Sequence, residues 1–330
     1  MKYFLVILTS IFSLSSFSHS NTSTTLPDSS KWTELSNSSQ LMSKLKKRVK
    51  KFHWDSSLFN DVGLAQKGHT VNGNPLLYYS CGNPNSNNRS LILSAVHGDE
   101  ITPVYYGFRL VEWLKARKES ICEDNFVVVA PIVNPDGFLR YRSGTRTNYN
   151  KVDLNRNFGT PSWDKLASKL WEDRYKKRRR YFPGDHPDSE PETKFQKWLI
   201  SEFKPHKILS IHAPLNFLDY DGPDSDLEKE FGKSYMQSCK ELKYEIMAAT
   251  PDLKYYSYGT FPGSLGNYSG KVLGIPTLTA ELPTTQGRKA GSYFALLEQG
   301  TRTFIEFKVK TTKLAWSSDR KMAKTDEEKD

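Results

Sequence analysis

The sequence predicts a single-domain α/β/α sandwich with a mixed, mainly parallel central sheet. Three observations carry that expectation. Four short apolar runs rich in β-branched residues, LILSAV (91–96), FVVVAPIV (126–133), KILSIH (207–212) and PTLTAEL (276–282), suit strands buried on both faces of a sheet. Helical patterns lie between them, and such alternation implies an α/β sheet with parallel crossovers. The chain's 330 residues, 13% of them aromatic, suffice for one large core and exclude a disordered chain.

The elements follow from local signals. Residues 102–117 offer Thr102 as N-cap, Pro103 in the first turn and basic residues in the last. Further helices are expected over 190–203, 225–246 and 291–308. No internal repeat is visible, and one folded domain is expected over residues 50–312.

The first 20 residues read as a signal peptide. Lys2 precedes an apolar stretch (3–12), and Ser18 and Ser20 occupy the small-residue positions before a cut after Ser20. Export across the inner membrane to the periplasm is expected. No stretch reaches the ~20 apolar residues that span a bilayer, so the mature chain is expected to carry no transmembrane segment. Residues 21–40, with 6 Ser and 4 Thr, read as a linker. The remainder of the 21–49 segment is basic and amphipathic, with Leu41, Met42, Leu45 and Val49 at helical spacing. Docking on the body with a solvated basic face is the simpler reading, and lying on an anionic membrane the other. Residues 313–330 lack an apolar face and are expected to be a disordered tail.

Lys and Arg number 47 against 37 Asp and Glu, a net charge of +10 that leans towards anionic partners. Cys81, Cys122 and Cys239, without a CxxC, exclude a zinc finger, an iron–sulfur cluster and a disulfide-dense scaffold. Two of them can pair in an oxidising compartment, and the pairing is left open. The run YKKRRRY (175–181) interleaves basic and aromatic residues but stands alone. A solvated loop, or a docking patch for anionic wall or lipid groups, is the reading, and no nucleic acid partner is expected. His53, His69, His186 and His206 read as structural or exposed.

The chemistry gathers at strand ends. His97 and Glu100 follow one apolar run in HGDE, His212 ends another, and Glu281 ends a third. Ligands bind beyond the carboxyl ends of strands in open α/β sheets. Two His and a Glu converging there, with a fourth position open to water, suit catalytic zinc, and Glu281 is left over as a base. The loop over 134–158 is rich in Gly and Arg. In it Asn155 and Arg156 suit bidentate capture of a carboxylate, and Arg146 can stabilise an oxyanion. Asp153 sits where a carboxylate can hold a zinc-bound imidazole in its correct tautomer.

HGDE (97–100), NPDG (134–137), DLNRNF (153–158), His212 and Glu281 in TAELP (279–283), in that order and spacing, resemble the zinc metallocarboxypeptidase family. The match spans roughly residues 75–310 and is most similar to the murein peptide amidase branch. HGDEIT (97–102), SEPET (189–193), SIHAPLNFLDYDGP (210–223) and FPGSLGNY (261–268) support that branch. The resemblance implies one zinc ion per chain held by His97, Glu100 and His212. Glu281 would be the general base and Arg146 the electrophile, with Asn155 and Arg156 gripping the terminal carboxylate. Tyr258 is similar in place to the family's substrate-capping Tyr, with Tyr255 and Tyr256 as competitors. The branch implies a murein peptide substrate, cut between γ-D-glutamate and meso-diaminopimelate. Asp219 and Asp221 could meet the ammonium of the diaminopimelate side chain. One departure stands out: the segment before the domain is too short for the folded pro-domain of digestive members. The alternatives are a secreted carboxypeptidase releasing ordinary L-amino acids and a deacylase resembling aspartoacylase. A binding module without catalysis is disfavoured, because all three ligands and the base are present.

Overall fold

Residues 29–60, 63–223 and 227–310 are described by the computed structural model, with side chains described from residue 38. The signal peptide read over 1–20, the start of the linker and the tail read over 313–330 lie outside them. In chain order the elements are α1 (Ser29–Val49), β1 (Ala65–His69), β2 (Pro75–Cys81), β3 (Arg89–Ser94), α2 (Ile101–Ala116), α3 (Lys118–Ile121), β4 (Phe126–Ala130) and α4 (Pro135–Leu139). They continue with α5 (Trp163–Asp173), α6 (Pro191–Phe203), β5 (Lys207–His212), β6 (Phe217–Tyr220), α7 (Glu228–Phe231), α8 (Lys233–Ala249), β7 (Lys254–Tyr255), β8 (Thr277–Glu281) and α9 (Ala290–Glu306).

The strands make one sheet in the order β1-β2-β4-β3-β5-β8-β6-β7. Its centre, β4-β3-β5-β8, is parallel, and β2 and β6 flank it antiparallel. The central strands are the apolar runs, and their alternation feeds two cores. Ile92, Val127, Val129, Leu209 and Ile211 pack against α2, α8 and α9. Leu91, Leu93, Val128, Ala130 and Ile208 pack on the other face with Phe195, Leu199 and Ile200 of α6. Helices on both faces make the α/β/α sandwich, since a parallel sheet must bury both sides.

Three differences from the sequence reading have physical causes. Helix α1 begins at Ser29, inside the segment read as a linker over 21–40. Leu41, Leu45 and Val49 are fully buried in a third cluster with Trp54, Phe59, Phe108 and Phe138. Once those turns are fixed by docking, extending the helix gains a backbone hydrogen bond per residue without a new nucleation cost. The helix expected over 225–246 is broken by Gly232, whose φ of 82° separates α7 from α8. Strands β1, β2, β6 and β7 were not anticipated. β1, AQKGH, is a largely exposed polar edge, and β7 is two residues long. Cys81 at the end of β2 pairs with Cys122 after α3, and Cys239 is buried and unpaired with another cysteine.

Candidate active site and metal centre

The parallel strands deliver the chemistry to one edge. Buried Ala95, at φ 54°, turns the chain sharply out of β3 and presents His97. Gly98 allows the next approach, since a Cβ there would lie 2.1 Å from the Gly137 backbone. Glu100 immediately precedes α2. His212 and Glu281 end β5 and β8, opposite one another in register. The loop after β4 is tied down by Asn134, whose side chain caps α4 and bonds the Val96 and Arg146 carbonyls.

His97, Glu100 and His212 come together, their ligand atoms all within 4.8 Å of one another. The three are almost fully buried. Glu100 lies between the rings, with Oε1 2.7 Å from His97 Nδ1 and Oε2 2.9 Å from His212 Nδ1. Burial alone would raise the Glu100 carboxyl, yet the two imidazoles outweigh it and hold it well below the ordinary range. Both remote ring nitrogens are engaged: His97 Nε2 lies 3.1 Å from Asp153 Oδ1, and His212 Nε2 lies 2.9 Å from Ser210 Oγ. Two imidazoles directed by outer partners, with a carboxylate beside them, are a donor set that fits a divalent ion such as zinc.

Arg146 donates from Nε to Asp153 Oδ2 at 2.8 Å and reaches to 3.6 Å from Glu100 Oε1. Burial would raise fully buried Asp153, but the Arg146 charge, then the bond to His97, pull its carboxyl far below the ordinary range. Glu281 behaves oppositely. Burial first, then the charge of Glu100, pushes its carboxyl up to about 8, and the Leu215 amide donates to it at 3.4 Å.

The pocket beyond these groups is lined by all of the sequence-predicted site residues except Asp153, which lies behind His97 and Arg146. Asn155 accepts from the Leu265 amide at 2.8 Å, and Arg156 lies 4.3 Å from the Phe261 ring centre. Of the three tyrosines in question only Tyr258 lines the pocket; it is 58% exposed and packs on Phe217. Asp219 and Asp221 line the inner wall. Burial, then Asp219, pushes Asp221 up to about 7. Ser210, Arg174 and Phe261 were not foreseen in the sequence. Ser210 was findable, because two residues before His212 on one strand is the same face.

A sequence profile described as zinc carboxypeptidase matches residues 60–306. The chain belongs to the zinc carboxypeptidase family. It is thus a peptide hydrolase by family. Among named proteins it is 33% identical over 219 residues to murein peptide amidase A of Vibrio campbellii, covering 66% of this chain and 77% of that one. It is 30% identical over 235 residues to murein peptide amidase A of Escherichia coli K12, covering 70% and 86%. The fold is also that of bovine thrombin-activatable fibrinolysis inhibitor, solved in complex with tick carboxypeptidase inhibitor. That match has a TM-score of 0.56 at 17% identity and covers 81% of this chain and 95% of that chain.

Proposed function

We propose that this zinc carboxypeptidase hydrolyses murein peptides at the bond between γ-D-glutamate and meso-diaminopimelate, with His97, Glu100 and His212 holding one zinc ion. The observation that carries the reading is the convergence of those three ligands, Glu281 and Arg146 on one pocket whose inner wall bears Asp219 and Asp221. The likeness to murein peptide amidases supports the substrate class. Zinc there would polarise the scissile carbonyl and acidify a water.

The chain's own groups do the rest. Asn155 and Arg156 grip the terminal carboxylate, because a guanidinium fork beside an amide matches its two oxygens. Tyr258 covers the bound residue. Glu281 accepts the proton of the attacking water and passes it to the leaving nitrogen. Arg146, held in place by Asp153, donates to the oxyanion that develops on the scissile carbonyl. Asp219 and Asp221 face the side-chain ammonium of diaminopimelate, whose charge would favour the ionised form of Asp221.

Action in the periplasm is part of the same reading. It is supported by the signal-peptide pattern of residues 1–20 and by the Cys81–Cys122 bond, which an oxidising compartment maintains. Purified protein should release free diaminopimelate from murein tripeptide, and a chelator should stop it. Release of ordinary L-amino acids from peptides instead would point to a general carboxypeptidase.

A further inference from the structure

The basic loop after α5 is not absorbed by that mechanism. It carries Arg174, Lys176, Lys177, Arg178, Arg179 and Arg180 in seven positions. Two of these cations are neutralised, Lys177 by Glu172 at 3.0 Å and Arg180 by a short contact to Asp99. Among the described residues, Arg174, Lys176, Arg178 and Arg179 make no ion pair, and all four are exposed.

The loop is also built rather than loose. Lys176 and Lys177 are consecutive left-handed residues, at φ 50° and 55°, a backbone that persists only where its surroundings over-determine it. Trp171 supplies that constraint: its carbonyl accepts from the Lys177 amide at 3.0 Å and its Nε1 donates to the Arg178 carbonyl at 2.9 Å. The Tyr175 and Tyr181 rings stack at 4.2 Å and close the loop.

One end of the loop lines the catalytic pocket, and the other touches a residue that does. Arg174 lines it and lies 5.7 Å from the Phe261 ring centre, the same ring that packs on Arg156. At the other end Arg146 lies over the Tyr181 ring at 5.6 Å, and Arg180 holds Asp99, which precedes the ligand Glu100. Arg178 lies over the same Tyr181 ring at 5.3 Å, which puts a loop cation near Arg146, the group proposed to meet the scissile carbonyl.

We infer that this loop recognises a carboxylate on the acyl side of the scissile bond, namely the α-carboxylate that a γ-linked glutamyl residue leaves free. The inference rests on the proposed function and assigns the charge of its substrate to named residues.

The test uses the full chain and two murein tripeptides, one with the glutamyl α-carboxylate free and one with it amidated. Wild type should favour the free acid by about 10-fold in kcat/KM at low salt, a few-fold for each exposed charge. That preference should shrink as ionic strength rises. The variant Lys176→Asn/Arg178→Gln/Arg179→Gln should lose the preference through KM rather than kcat. Removing three charges elsewhere, with Lys47→Gln/Lys50→Gln/Lys118→Gln, should retain it. If wild type cleaves both peptides equally well, the proposal is overturned whether or not the loop variant folds, while the substrate reading stands. If neither peptide is cut, the substrate reading fails and the loop proposal falls with it.

Discussion

His212 and Glu281 are register partners at the carboxyl ends of neighbouring parallel strands, β5 and β8. One is a proposed metal ligand and the other the proposed base. Their separation along the chain is large, yet ladder hydrogen bonds of a rigid central sheet set their distance. Phe217 of β6 pairs with Glu281 from the other side, so the Glu281 backbone is fixed between two strands.

Replacing Glu281 by Gln keeps the shape and removes the proton acceptor. Metal content should stay at the wild-type level while kcat falls at least ~10²-fold, the usual worth of a general base. Metal analysis beside turnover on murein tripeptide checks this, and a variant as fast as wild type would remove Glu281 from the mechanism.

Asp153 joins His97 to Arg146. Asp153→Asn should weaken zinc binding by roughly 10- to 100-fold, because it no longer holds the imidazole of a ligand in place by charge. It should also lower thermal stability, since the largely covered Arg146 loses its closest anion. Competition with a graded chelator reads the affinity, and unchanged affinity would refute the orienting role.

Glu192 on α6 is buried, and that burial pushes its carboxyl up to about 8; one oxygen accepts from Asn148 at 2.9 Å. The folded state therefore binds a proton that the unfolded chain releases near pH 4.5. This contribution is full below that pH and is lost as pH rises through about 8. Glu192→Gln should flatten the decline in stability over that window, by on the order of 5 kcal/mol. Denaturant midpoints of the two proteins across pH measure it, and parallel curves would contradict it.

The Cys81–Cys122 bond closes a loop with a sequence separation of 41. The chain-entropy relation gives about 4 kcal/mol for such a loop. Replacing both cysteines by Ser should lower unfolding stability by about 2–4 kcal/mol with kcat preserved, because the pair lies away from the pocket lining. Chemical denaturation, with activity measured alongside, is the check.

Leu45 of α1 is fully buried. Leu45→Ala should cost about 2–4 kcal/mol through lost burial and the cavity left behind. A change below about 0.5 kcal/mol, the range of an ordinary surface substitution, would mean that α1 does not dock in solution.

The central strands and the chemistry at their ends were legible because buried parallel strands are continuous apolar runs, and a polar residue ending such a run is conspicuous. His97, Glu100, His212 and Glu281 all carry that signal. The edge was not legible: β1 alternates too weakly and is too polar to read as a strand. Ser210 hides inside its strand as one small residue. The α1 start was misread because Ser, Thr and Asn suggest a linker, while docking of later turns decides how far a helix extends.

The linear chain alone determined the α/β alternation, the family and the candidates for the groups that do chemistry, because local hydrophobic patterning and short motifs carry those. Only the tertiary structure decided that Cys81 is the partner of Cys122 and that Tyr258, of three tyrosines, lines the pocket. It also decided that the basic loop borders that pocket at Arg174 and touches Arg146 through Tyr181. These are distances between residues far apart along the chain, and such distances are set by packing and sheet register.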